Sequence, residues 1–154
     1  MRSSALLVAF LGAALFAGTA QATVAVAQTA NAQTLSLRGG RGTAILALRG
    51  SILGTLRRGR LIVTIPRHST AVSKVYGAET RRRLSGRSTL YKGTDIRYRV
   101  FGGSWRLNIV GRGINAGAAG RGWFGLEGSR GTYSIAGGRY RAWPRVYKTF
   151  RLGT

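Results

Sequence analysis

The chain contains no cysteine. That absence removes disulfides, iron–sulfur clusters, thiolate zinc sites, cysteine nucleophiles and a lipidated cysteine anchor together. Carboxylates are nearly as scarce, with 3 Asp and Glu among 154 residues, and histidine occurs once, as His68. So few acids leave little material for acid–base catalysis or an oxygen-ligated metal site. Proline occurs only twice, and the 24 glycines follow no Gly-X-Y period, which excludes a collagen. The one long apolar run, Ala5 to Ala17, is 13 residues, short of the ~20 that a transmembrane helix needs.

What the chain has in excess is positive charge. Against the 3 acids stand 25 basic residues, 22 of them arginine, for a formal net charge of +22. A surface of this sign attracts polyanions over about a Debye length, ~8–10 Å at physiological salt. With 44% apolar residues the chain still has material for a core, which argues against wholesale disorder.

Met1-Arg2-Ser3-Ser4, the apolar run and Gly18-Thr19-Ala20-Gln21-Ala22 follow the pattern of a secretory signal peptide. Cleavage is expected after Ala22, Ala27 or Ala32, and residues 1–27 are assigned to the signal. Residues 28–37 read as a polar leader and residues 38–154 as one all-β domain, with the folded chain entered near Leu35. The mature protein is expected to be secreted, extracellular or associated with the cell envelope, with no transmembrane segment.

From residue 35 onward apolar and polar residues alternate, and glycine breaks the pattern about every 8–12 residues. This predicts a single glycine-rich antiparallel β-sandwich or open β-barrel of about 8–10 short strands. Arg57-Arg58-Gly59-Arg60 reads as a basic turn and Arg81-Arg82-Arg83 as part of a loop. Gly102-Gly103 sits between two alternating runs and suits a two-residue hairpin turn. That register would pair Val100 with Trp105, Tyr98 with Leu107 and Ile96 with Ile109, and on the other face would set Arg99 opposite Arg106. Gly-Arg-Gly recurs at Gly40-Arg41-Gly42, Gly111-Arg112-Gly113 and Gly120-Arg121-Gly122. These read as corner devices of a strongly bent sheet.

Chemistry finds little footing. His68 lies in Pro66-Arg67-His68-Ser69, and no Gly-x-Ser-x-Gly elbow accompanies it. A carboxylate pair for glycoside hydrolysis could come only from Glu79, Asp95 and Glu127. A strongly positive field works against a general acid, which must hold its proton. Gly111-Arg112-Gly113-Ile114-Asn115-Ala116 matches a dinucleotide fingerprint in form, but Gly117-Ala118-Ala119-Gly120 follows instead of a helix. No catalytic residue, metal or cofactor is expected, and the reading is not an enzyme.

What remains is arginine interleaved with aromatics. The polyanion-binding candidates are Arg57, Arg58 and Arg60, then Arg81, Arg82 and Arg83, and the pair Arg99 and Arg106; for each, the plain alternative is a solvated charge. Strand alternation explains Tyr98 and Trp105 as core, whereas Tyr140 and Trp143 fall outside any clean strand pattern and are candidates for stacking on sugars or bases.

The run from Tyr91-Lys92-Gly93-Thr94-Asp95 through Trp105-Arg106-Leu107, followed by Gly111-Arg112-Gly113-Ile114-Asn115, resembles uncharacterised secreted proteins of high-GC actinobacteria over roughly residues 36–153. The resemblance implies a compact all-β domain behind a signal peptide and brings no activity or site residue with it.

The functional expectation is a non-catalytic domain that attaches to an anionic polymer: cell-wall polymer such as teichoic acid, acidic polysaccharide, or phospholipid headgroups. A rival is an extracellular nucleic-acid-binding, OB-like domain, which would need aromatic platforms exposed on a strand face. An envelope polysaccharide hydrolase would need two of the three carboxylates in one cleft. A structural role would leave the charge serving solubility alone.

Overall fold

Period-two alternation dictates strands, and the computed structural model is all-β, with no helix among its described residues, 32–154. The expected signal peptide and the first residues of the expected leader lie outside the described residues. From Gln33 onward that leader is already strand, with Leu35 and Leu37 buried. Two leucines on alternate positions commit this stretch to the core, so the β-domain begins before residue 38.

The elements are β1 (Gln33–Thr64), β2 (Val72–Tyr76), β3 (Thr80–Arg83), β4 (Ser88–Phe101), β5 (Ser104–Ile135), β6 (Arg141–Ala142) and β7 (Lys148–Leu152). They form one open antiparallel sheet in the order β2-β4-β1-β5-β6, with β3 on β4 and β7 on β5. The strands number seven rather than 8–10 short ones because β1 and β5 run 32 residues each. Gly50, Gly59, Gly111 and Gly120 bend these strands without ending them.

Two ladders join β1 to β5. One runs from Leu35 facing Ile135 to Thr64 facing Arg106; the other runs from Gln33 facing Gly120 to Arg49 facing Ser104. Residues 104–119 of β5 therefore lie between two stretches of the same strand, residues 33–49 and 51–64 of β1. The β1–β5 ribbon winds back on itself, with β4 beside the second half of β1. Strands β2 and β3 at one margin and β6 and β7 at the other leave the sheet unclosed.

The expected β4–β5 hairpin does not form. Ile96, Tyr98, Val100, Trp105, Leu107 and Ile109 are all buried, as alternation requires. Yet β4 and β5 follow one another along β1, with Val100 facing Ile52 and Ser104 facing Arg49. Gly102 and Gly103, at φ +74° and +57°, kink the chain instead of reversing it. The Gly50 N–H donates to the Gly103 carbonyl at 3.1 Å, and the Trp105 indole N–H donates to the Gly50 carbonyl at 2.9 Å. Alternation decides which face a side chain takes; it does not decide which strand lies alongside.

The buried positions change parity along each long strand. On β1 they pass from Leu35 and Leu37 to Ala44, Leu46, Leu48, Ile52 and Leu56, then to Leu61 and Val63; on β5 they pass from Ile109 to Ile114, and on β4 from Tyr91 to Ile96. These changes fall at residues left out of the ladders, Gly39, Arg57, Asp95 and Gly113, beside five glycines that cross the sheet as one row, Gly93, Gly59, Gly111, Gly42 and Gly128, each facing the next. The backbones approach too closely there for a side chain. A Cβ on Gly42 would collide with the Glu127 carbonyl, and one on Gly111 with that of Arg58. The sheet bends along this row, and the bend wraps its apolar face around Trp105, Phe124 and the leucines of β1.

Candidate functional site: a cross-strand row of arginines

The glycine row sets up a second row beside it. Arg41, Arg58 and Arg112 each adjoin one of the paired glycines in sequence, so pairing the glycines pairs the arginines. Arg41 faces Arg112 on one side and Arg130 on the other, and Arg112 also faces Arg58. All four are exposed. Directly opposed residues share a face, so Arg130, Arg41, Arg112 and Arg58 project together. At ~4.8 Å between strands the row spans about 15 Å. One step along, Arg60 faces Lys92.

A groove of about 840 Å³ runs along this row, floored by Gly42, Gly111 and Gly128 and walled by Arg41, Arg58, Arg112 and Arg145. Arg145 is brought in by the segment after β6, where the Gly128 N–H donates to the Pro144 carbonyl at 2.9 Å. Glu127 is the one carboxylate on the lining. Like charges set directly opposite on a sheet cost up to ~1 kcal/mol a pair, so the row is electrostatically unfavourable without a counter-charge. Its chemistry is that of a ligand for anions: planar guanidinium forks, which grip phosphate, sulfate or carboxylate in bidentate fashion. The hydroxyls on its lining, Thr43 and Ser129, have no histidine beside them and Glu127 has no second carboxylate, and no cluster of three or more metal-ligating side chains occurs among the described residues.

The sequence-derived candidates divide around this surface. Arg57, Arg58 and Arg60 lie within strand β1 and not in a turn. Arg58 belongs to the row and Arg60 stands next to it, whereas Arg57 lines a separate hollow with Asp95 and Arg97. Arg81, Arg82 and Arg83 form strand β3 instead of a loop, and pair with Tyr91, Leu90 and Thr89 at the margin of the sheet. Charge on an edge strand blocks pairing with another chain, which gives these three a role that needs no ligand. Arg99 faces Leu53 and Lys74, not Arg106, because β1 and β2 are the neighbours of β4. Arg106 lies 5.6 Å from the Trp123 ring centroid, and lines another hollow with Arg49, Arg121 and Arg151.

Of the two stacking candidates, Tyr140 is exposed, with the Arg38 guanidinium 4.3 Å from its ring centroid and its hydroxyl 3.1 Å from Ser36 Oγ. Trp143 is only 5% exposed and cannot stack on a ligand. It lies against Gly40 and Gly131, where a Cβ would strike its ring, and its indole N–H donates to the Thr132 carbonyl at 3.3 Å. Its cradle is made by glycines distant in sequence, which is why its surroundings read as a surface loop. Glu79 is engaged by Thr94, whose hydroxyl donates to Glu79 Oε1 at 2.7 Å.

Arg41, Arg112 and Arg130 were not among the candidates. The signal that marks the first two is the repeated Gly-Arg-Gly, read for its glycines and not for its arginine. No family model, curated protein or solved structure matches the chain. No helix among the described residues is long and apolar enough to cross a membrane.

Proposed function

We propose that the chain is a secreted, non-catalytic module that attaches to anionic polymers of the cell envelope or its surroundings. The observation that carries this reading is the row Arg130, Arg41, Arg112, Arg58, in which four arginines face one another directly. Such a row costs the free protein stability that a bound polyanion returns. Three carboxylates in the whole chain cannot neutralise it along with the other basic residues. Secretion is supported by the amino-terminal signal pattern, and also by charge that suits anionic envelope polymers.

The position of the aromatics weighs against nucleic acid as the partner. Trp105 and Trp143 are buried and Trp123 lies under Arg106, which leaves one exposed ring on a strand, Tyr76 of the edge strand β2, in place of a multi-ring stacking platform. The test is retention of purified protein on immobilised polyanions at low and high salt. Arg41→Ser with Arg112→Ser should weaken retention more than Arg81, Arg82 and Arg83 changed together to Ser, although the triple variant removes more charge. The reverse order would mean that only bulk charge matters.

A further inference from the structure

A different groove crosses the outer face of the sheet, on the same side of the glycine row as the arginines but further along the strands. It has a volume of about 950 Å³ and a mainly apolar lining. Leu53 stands in it 65% exposed, in a strand with neighbours on both sides. The reason is its partner: Leu53 faces Gly117, which presents no side chain, and nothing lies within 4 Å of where a Cβ on Gly117 would stand. A trough therefore runs over Gly117 beside a bare leucine. Tyr76, 57% exposed, closes one end. Arg38, Arg97 and Arg99 stand around it; the last two occupy alternate positions of β4 and so share a face.

We propose that this trough is a recognition site for the ring of an acidic sugar, and that the polymer of the preceding section is a polyuronate-type acidic polysaccharide. This rests on the polyanion reading and names its ligand class. A pyranose has an apolar C–H face that fits against Leu53 over Gly117, and a ring carboxylate that Arg97 and Arg99 can grip. Inorganic polyphosphate has no apolar face to place there. A nucleobase stacks best on an open aromatic ring; Tyr76 lies at the margin of the trough and the neighbouring Tyr140 ring is covered by Arg38. Arg97 and Asn115 border both the trough and the adjoining hollow that holds Arg57, next in sequence to Arg58 of the row. A chain with one ring in the trough has basic side chains along its path toward that row.

The trough can be filled from Gly117, where an added Cβ meets nothing within 4 Å. The experiment compares binding of a galacturonate oligomer, a polyphosphate of equal charge and a single-stranded oligonucleotide of equal charge. The native protein should prefer the galacturonate oligomer by about tenfold or more, equivalent to ~1.4 kcal/mol. Gly117→Leu should abolish that preference while keeping polyphosphate affinity and the circular dichroism spectrum, and Leu53→Ser should do the same by a change at an exposed site. Arg41→Ser with Arg112→Ser should weaken all three probes and leave the preference in place. A native protein without the preference, one that favours the oligonucleotide, or a preference that survives both trough variants would overturn the assignment. Failure to bind any of the three would instead sink the polyanion reading beneath it.

Discussion

Arg112 stands between Arg41 and Arg58, so Arg112→Ser removes two like-charge neighbours at once. Two unit charges ~5 Å apart in water repel by about 0.8 kcal/mol. Both pairs together set an upper bound of roughly 1.6 kcal/mol, which splaying of the long side chains reduces. At ~0.1 M salt a Debye length of ~10 Å leaves at most about 1 kcal/mol, and at ~1 M, where it is ~3 Å, about 0.3 kcal/mol. The variant should thus be more stable than the native protein by up to about 1 kcal/mol at low salt, and by at most about 0.3 kcal/mol at high salt. Urea unfolding at both ionic strengths measures this through the midpoint at constant m-value. A saturating polyanion should reverse the order, since ligand that binds only the folded state stabilises the tighter binder more. If the native protein proves the more stable at low salt, its guanidiniums are neutralised within the fold, and the argument that the row awaits an external anion fails.

Gly111→Ala places a Cβ against the Arg58 carbonyl at a residue with φ +157°, and should cost more than ~3 kcal/mol or prevent folding. Gly117→Ala meets open space and should be neutral or stabilising by up to about 1 kcal/mol; similar melting shifts for the two would contradict a sheet bent on its glycine row. Burial drives the Tyr98 phenol well above its usual 10.0. The folded state then keeps a proton that the unfolded chain gives up above pH ~10, so stability is full below that pH and falls as pH rises beyond it. Tyr98→Phe should flatten that loss in denaturation curves taken at rising pH; an unchanged slope would contradict the assignment.

Much of the core was legible from period two alone. The alternation that puts Tyr98 and Trp105 inside is local, and needs nothing beyond the pleat of each strand. Partners are not local: Gly102-Gly103 can reverse a chain or merely kink it, and only the position of β1 between the strands decides. For the same reason Arg81 to Arg83 read as a loop, since an edge strand with every residue exposed has no apolar face to display. Trp143 was misread because the glycines around it, Gly40, Gly128 and Gly131, come from two other strands. The arginine row lay partly in view, because three Gly-Arg-Gly repeats at bends announce that something recurs across the sheet. That Arg41 and Arg112 face each other follows from register, which no repeat states.

The most direct test of the polyanion claim is the salt dependence of binding to polygalacturonate. The comparison sets native protein beside Arg41, Arg58, Arg112 and Arg130 all changed to Ser, and beside a charge-matched control with Arg81, Arg82, Arg83 and Arg87 changed to Ser. Each arginine that releases counterions adds up to about one unit to the slope of log affinity against log salt. The row variant should lose affinity and roughly three units of slope, with the control close to native. Equal losses in the two variants would contradict the account, because the charge would then act as a diffuse field and not through the row.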